Sequence, residues 1–209
     1  MPGVHRGKSA ETSARIREAA KNVFAEVGYA GARVDEIARR AGVNKAALYY
    51  HIGDKKALYA EVIHDVVGTA CVNLAKGITQ SPSPRDKMRT YISTLAAAFD
   101  EHPQMPRIMM REIASGGHNL PAIFFKDFLS IISTLTGIIE EGRSKGVFVD
   151  TVPLLVHFMA IGAIILYKSI APVMMGVPEI PGVLKDMGCE VSGPVAKEVE
   201  RLILKAISI

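Results

Sequence analysis

The sequence predicts an all-α chain of about nine helices, a small N-terminal head of three helices followed by a long helix and a larger helical body. Three observations lead there. Apolar residues recur at spacings of three and four along most of the chain, the period of an amphipathic helix. Alternating strand patterning is confined to a short extended piece at Val147, Phe148 and Val149. Two short helical stretches near the N-terminus meet at a very tight turn centred on Gly42, the form of a helix-turn-helix.

The first helix is expected from about Thr12, because Ile16, Ala19, Ala20, Val23, Phe24 and Val27 lie on one face, with Gly28 as its stop. Val34, Ile37, Ala38 and Ala41 mark a second, closed by Gly42. Asn44 can cap a third, Lys45 to about His51, by accepting an orphan backbone N–H. Gly53-Asp54 turns the chain, and Asp54 can cap a long fourth helix reaching about Gly77. A Pro- and Ser-rich break, ITQSPSPRDK, follows. Further helices are expected over about 84–102, the segment MPRIMMREIA, 121–146, 152–171 and 193–208.

Charge is unevenly placed. The first 60 residues hold 11 Lys and Arg against 6 Asp and Glu, and the remaining 149 hold 14 against 15. A basic module ahead of a near-neutral body suggests a polyanion-binding head, although a lysine-rich solvated face would give the same balance. In a helix-turn-helix the N-terminal residues of the second helix enter the major groove, here Asn44, Lys45, Ala46 and Ala47. Tyr49, Tyr50 and His51 follow, with hydroxyl and ring N–H donors suited to phosphate oxygens. Two adjacent tyrosines cannot both face a head's core, and Tyr50 is expected to be the more exposed.

Residues 12–62 resemble the DNA-binding head of the tetracycline-repressor-like (TetR/AcrR) family. The string AKNVFAEVGYAGARVDEIARRAGVNKAALYYHIGDKKAL carries the likeness, in the order F-x-E-x-G-Y, V-D-E-I-A-x-x-A-G-V, L-Y-Y-H and K-x-A-L. The resemblance implies a DNA-binding domain over residues 1–54 and a ligand-binding and dimerisation domain over 55–209. It implies that Lys45 and Ala46 reach base edges or the nearest phosphates, that Tyr49, Tyr50 and His51 touch the DNA backbone, and that Lys55 pairs with a phosphate. Phe24, Ile37, Ala41, Val43 and Leu48 would fill the head's core. Three positions depart from the pattern. Arg33 stands where Ser or Thr usually caps the second helix, and is a candidate phosphate contact instead; Asn44 replaces Ser; Ile52 replaces Phe.

In the body, Phe99, Met105, Met109, Met110, Phe124, Phe125 and Phe128 crowd together beside Pro and Gly-Gly breaks. Any single one of them reads first as core. Together, with the cavity the resemblance implies, they suggest a site for a small apolar or amphipathic ligand, with His102 and Arg111 as polar anchors. The fourth helix would be the lever from this site to the head. The stretch Val152 to Tyr167 is apolar except for His157, slightly short of a membrane span, and Lys168 and Pro172 argue against extending it. A helix apolar on most sides needs a partner. The last helix offers Val191, Val195, Val199, Leu202, Ala206 and Ile209 on one face. Two such helices from each of two chains would make a four-helix dimer interface, with Leu155, Met159, Ile164, Val195, Val199, Leu202 and Ala206 at its centre.

Catalytic and metal motifs do not compete with this reading. The six histidines show no metal-ligand spacing, Glu140-Glu141 reads as a solvated face, and phosphate-loop and nucleophile-elbow patterns are missing. We expect no enzyme activity, no cofactor and no metal. Cys71 and Cys189 form no short-spaced pair, which fits a reducing compartment, and no apolar leader opens the chain, so a cytoplasmic location is expected. Two function classes remain. One is a repressor that leaves a palindromic operator when a ligand binds. The other is a membrane-associated or protein-binding helical module whose basic head meets acidic lipid. The capped tight turn and the L-Y-Y-H string favour the repressor.

Overall fold

A computed structural model describes residues 3–188 and 194–209. It contains ten α-helices: α1 (Gly3–Gly31), α2 (Val34–Ala41), α3 (Lys45–Ile52), α4 (Lys55–Gln80), α5 (Pro84–Glu101), α6 (Met105–Ala114), α7 (Ala122–Ser144), α8 (Pro153–Met175), α9 (Ile180–Asp186) and α10 (Val195–Ile207). Val191, expected on the last helix, lies outside the described residues. The chain forms two compact units, residues 1–68 with 107–127 and residues 69–106 with 128–209. This division does not follow the boundary expected at residue 54.

In the first unit α1, α2 and α3 pack on one another. Ile16, Phe24, Ile37, Leu48 and Leu58 are fully buried, and Phe24 meets Tyr59 edge-on with ring centroids 4.8 Å apart. Val43, expected in this core, is only half-buried. α1 begins at Gly3, well before Thr12; the sequence ahead of Thr12 shows no apolar period from which that start could be read. Gly28 stops the regular helix as expected: its φ of 74° is non-helical, and a short further turn follows to Gly31. Residues of α6 clasp this bundle. Arg111 donates from Nε and Nη2 to the backbone carbonyls of Ala25 and Glu26. The Tyr59 hydroxyl donates to the buried Glu112 carboxylate at 2.8 Å, and burial followed by that carboxylate pushes the phenol well above its usual range.

In the second unit α5, α8 and α10 pack pairwise. Met88, Tyr91, Ile92, Ile164 and Ile203 line the seam. The extended piece at 147–149 is present: Phe148 bridges Ser208, Val149 N–H bonds to Ile207 O at 2.8 Å, and Ile209 N–H to Val147 O at 3.2 Å. The Phe148 ring lies on Gly142 of α7, where a Cβ would come within 2.0 Å of it.

Two expectations fail here. α8 runs through Pro172 to Met175, because a proline so near the helix end forfeits one backbone bond without stopping the last turn. At 23 residues α8 and α7 are each long and apolar enough to cross a membrane by length and composition. The tenth helix, α9, was not expected; its seven residues bury nothing and so show no apolar periodicity.

Candidate nucleic-acid interface

The α2–α3 turn is built by three residues. Gly42 takes the left-handed conformation, φ 65°, and its N–H returns to the end of α2. Val43 N–H bonds to Ala38 O at 3.0 Å. Asn44 Oδ1 then accepts the Ala47 N–H at 2.7 Å, so the capping role read from the sequence is present. Arg33, at the corresponding place before α2, makes no side-chain cap and is exposed.

α3 is pinned by Leu48 and Ile52, which are buried, so its opposite face looks outward. Lys45, Ala46, Tyr49 and Tyr50 lie on that face. Tyr50 is 86% exposed and Tyr49 45%, the order expected. His51 is half-buried; its Nδ1 lies 3.4 Å from Ser9 Oγ of α1, and its ring meets Tyr50 edge-on at 5.3 Å.

The cations are not equally available. Lys45 Nζ is paired with Asp35 at 2.9 Å, and Asp35 raises its pKa while the nearby Arg33 charge opposes that. Glu36 accepts from Arg39 and Arg40, and these two hold its carboxyl down at about 2. Glu26 takes the rest of Arg40, at 2.7 and 2.8 Å. Lys55 does not stand free. Its ammonium donates to the carbonyls of Tyr29 and Ala32 at 3.0 and 3.1 Å and sits 4.6 Å above the Tyr29 ring. The phosphate contact expected of Lys55 is therefore replaced by an internal one: carbonyls at and just beyond the end of α1 keep acceptor capacity to spare, and Lys55 reaches them. Its neighbour Lys56 is exposed with no ion-pair partner among the described residues. The paired lysines were legible, but not which of the two turned inward. Asp54 caps α4 as expected, accepting the Ala57 N–H at 2.7 Å.

This head has counterparts. The model for bacterial regulatory proteins of the tetR family matches residues 16–62, and that for the tetracyclin repressor-like C-terminal domain matches residues 84–177. The HTH-type transcriptional repressor SCO4008 of Streptomyces coelicolor is 31% identical over 143 residues, 68% of this chain and 70% of that one. This chain belongs to the TetR family.

The HTH-type transcriptional repressor NicS of Pseudomonas putida is 26% identical over 168 residues, 78% of this chain and 77% of that protein. A crystal structure of a TetR family regulator from Marinobacter aquaeolei superposes with a TM-score of 0.73 at 17% identity, covering 97% of this chain and 98% of that one, a likeness of fold. The TetR-family chain is thus a DNA-binding transcriptional regulator, with α2 and α3 as its helix-turn-helix.

The residues expected to bind a ligand are divided between the two units. Met109 is buried in the first unit; Met110 and Phe124 are half-buried there, and Phe125 is half-exposed with its ring edge-on to Phe124. Arg111 is not free to anchor a ligand, because the end of α1 holds it. In the second unit Phe99 and Met105 are buried, and His102 caps α5 by its backbone N–H. Phe128 packs edge-on against His157, with centroids 5.4 Å apart. His157 is 5% exposed and 2.6 Å from the Tyr91 hydroxyl, and burial lowers its pKa to about 4. Tyr91 as the partner of His157 gave no sequence signal, since the two are 66 residues apart.

Of the expected dimer residues, Leu155 and Met159 of α8 and Leu202 and Ala206 of α10 are exposed. Val195 is half-buried. Ile164 and Val199 are buried inside the second unit and belong to its own core. α8 and α10 pack together, so each must turn one stripe inward, and these two residues lie on it.

Proposed function

We propose that this TetR-family regulator is a homodimeric repressor that holds a palindromic operator and releases it when a small apolar or amphipathic ligand binds. The observation that carries the reading is the outward face of α3, fixed by the Asn44 cap and the buried Leu48 and Ile52. On this reading Lys45 and Ala46 read base edges, Tyr49, Tyr50 and His51 hold phosphates, Arg33 adds a phosphate contact beside α2, and Lys56 takes the role first expected of Lys55. Two relatives named as repressors, SCO4008 and NicS, support repression over activation.

The dimer rests on the exposed apolar face of α8 and α10. Leu155, Phe158, Met159 and Leu166 of α8 and Leu202 of α10 are each 49% exposed or more. A helix this apolar needs a cover, and a second copy supplies one while placing two recognition helices about 34–36 Å apart, one DNA turn. A regulator that acts on operator DNA would work in the cytoplasm. We place the ligand among Phe99, Met105 and Phe128, with His102 and the Tyr91–His157 pair as its polar contacts. The ligand must favour one tilt of α4 over another; a tenfold preference shifts that balance by about 1.4 kcal/mol per site.

Selection of bound duplexes from a random pool tests the reading. An inverted repeat, lost with rising salt, is the expected result. Recovery of unrelated sequences, or equal binding to acidic vesicles, would sink it.

A further inference from the structure

The second unit carries a solvent-open cleft of about 470 Å³ between α5 and α10. Arg85 and Arg89 stand one turn apart on α5, and Arg201 and Lys205 one turn apart on α10, all four lining it. Like charges at such spacing repel, by roughly a few tenths of a kcal/mol per pair. Part of this charge is answered. Arg89 meets Asp86 at 2.9 Å and Glu200 at 3.0 Å, and Arg201 is held by Glu198. Arg85 and Lys205 are exposed and have no ion-pair partner among the described residues. Lys205 lies in the last turn of α10, where a cation suits the helix dipole, but that gives no reason for Arg85 to face the same space.

A second observation is independent of charge. Ser208 lines the same cleft, and its Oγ is buried with no hydrogen-bond partner. A buried hydroxyl left so costs about 1–3 kcal/mol.

We propose that this cleft binds a small phosphate-bearing anion. Guanidinium forks match phosphate oxygens two at a time, and Lys205 adds a point charge. Turned about its χ1 bond, the partnerless Ser208 hydroxyl can donate to a polar occupant. Leu204 and Ile209 on the same lining suit an organic group attached to the phosphate. A lone carboxylate would leave one of the two unpaired cations unanswered; a phosphate monoester, with a charge near −1.5 to −2, answers both.

The test is calorimetric titration of the full chain with inorganic phosphate, phenyl phosphate and benzoate. Phenyl phosphate should bind at one site per chain, inorganic phosphate more weakly and benzoate weakest. The double variant Arg85→Ser with Lys205→Ser should bind phenyl phosphate roughly a hundredfold more weakly, each lost charged hydrogen bond being worth about tenfold. It should melt like the unchanged protein and keep its operator affinity. Ser208→Ala should weaken phenyl phosphate without lowering the melting temperature. Equal phenyl phosphate binding by the double variant would overturn the proposal, because the anion would then sit elsewhere, the basic head included. So would benzoate binding as tightly as phenyl phosphate, or no saturable binding at all.

Discussion

Lys45 and Lys55 are ten positions apart and alike in the sequence, yet their ammonium groups are differently engaged. Lys55 is part-buried and satisfies two carbonyls at the end of α1. Lys55→Met should therefore lower the stability of the head, by about 1–3 kcal/mol in urea unfolding. Loss of DNA affinity with unchanged stability would instead return Lys55 to the phosphate role. Lys45 is exposed and pairs with Asp35 only across the surface. Lys45→Ala should re-order a panel of operator variants, whereas Lys56→Ala should weaken all of them alike and reduce the salt slope by roughly one. The same ranking from both would remove Lys45 from base readout. Residue roles were legible where a local rule fixed them. Asn44 and Asp54 cap because each stands just ahead of a helical run. Contacts that depend on folded neighbours, such as Lys55 with Tyr29 or Arg111 with Ala25, left no trace in spacing.

At the scale of elements, the end of α7 and the end of α10 are joined through Phe148. Its ring occupies the space where a side chain on Gly142 would be. Gly142→Ala should displace the ring and cost about 1–3 kcal/mol, read as a lowered unfolding midpoint. A neutral outcome would mean that the ring has room to move aside. α8 carries a different constraint. His157 is buried neutral, with its folded pKa near 4 against 6.5 when unfolded. Below 6.5 the unfolded chain takes up a proton that the folded one refuses, so stability falls as pH drops from 6.5 to 4. The total is roughly 3 kcal/mol. Urea midpoints of the unchanged protein and His157→Gln should converge across that window, the variant lacking this slope; parallel curves would place the titration elsewhere. Helix existence was legible throughout, because burial on one face imposes a period. Helix ends were less so. α1 extends over polar turns, and α8 passes Pro172, because neither end is set by an apolar face.

For the whole molecule, the exposed apolar stripe of α8 and α10 sets the expected assembly. Leu202→Glu should place an unpaired charge at the centre of the dimer seam, a costly burial, and leave monomers in sedimentation equilibrium. A folded monomer from the unchanged protein would refute the dimer. The two helices were legible as partner-seeking from composition alone, but which residues face outward was not. That depends on how α8 and α10 pack on each other, which turned Ile164 and Val199 inward. The Lys45–Asp35 pair has a consequence for how such a regulator finds its target. Most of a chromosome is not operator, and a DNA-binding protein samples that excess before it locates one site. While Lys45 stays with Asp35, random duplex gains one cation fewer and releases one counterion fewer, so each wrong encounter is brief. The pair is exposed and so worth little, and on the proposed reading a base edge that offers Lys45 a better acceptor displaces Asp35 readily. An exposed carboxylate of the same chain would then shorten residence on the wrong DNA more than on the right one, and Asp35→Asn should slow the search by lengthening every false stop.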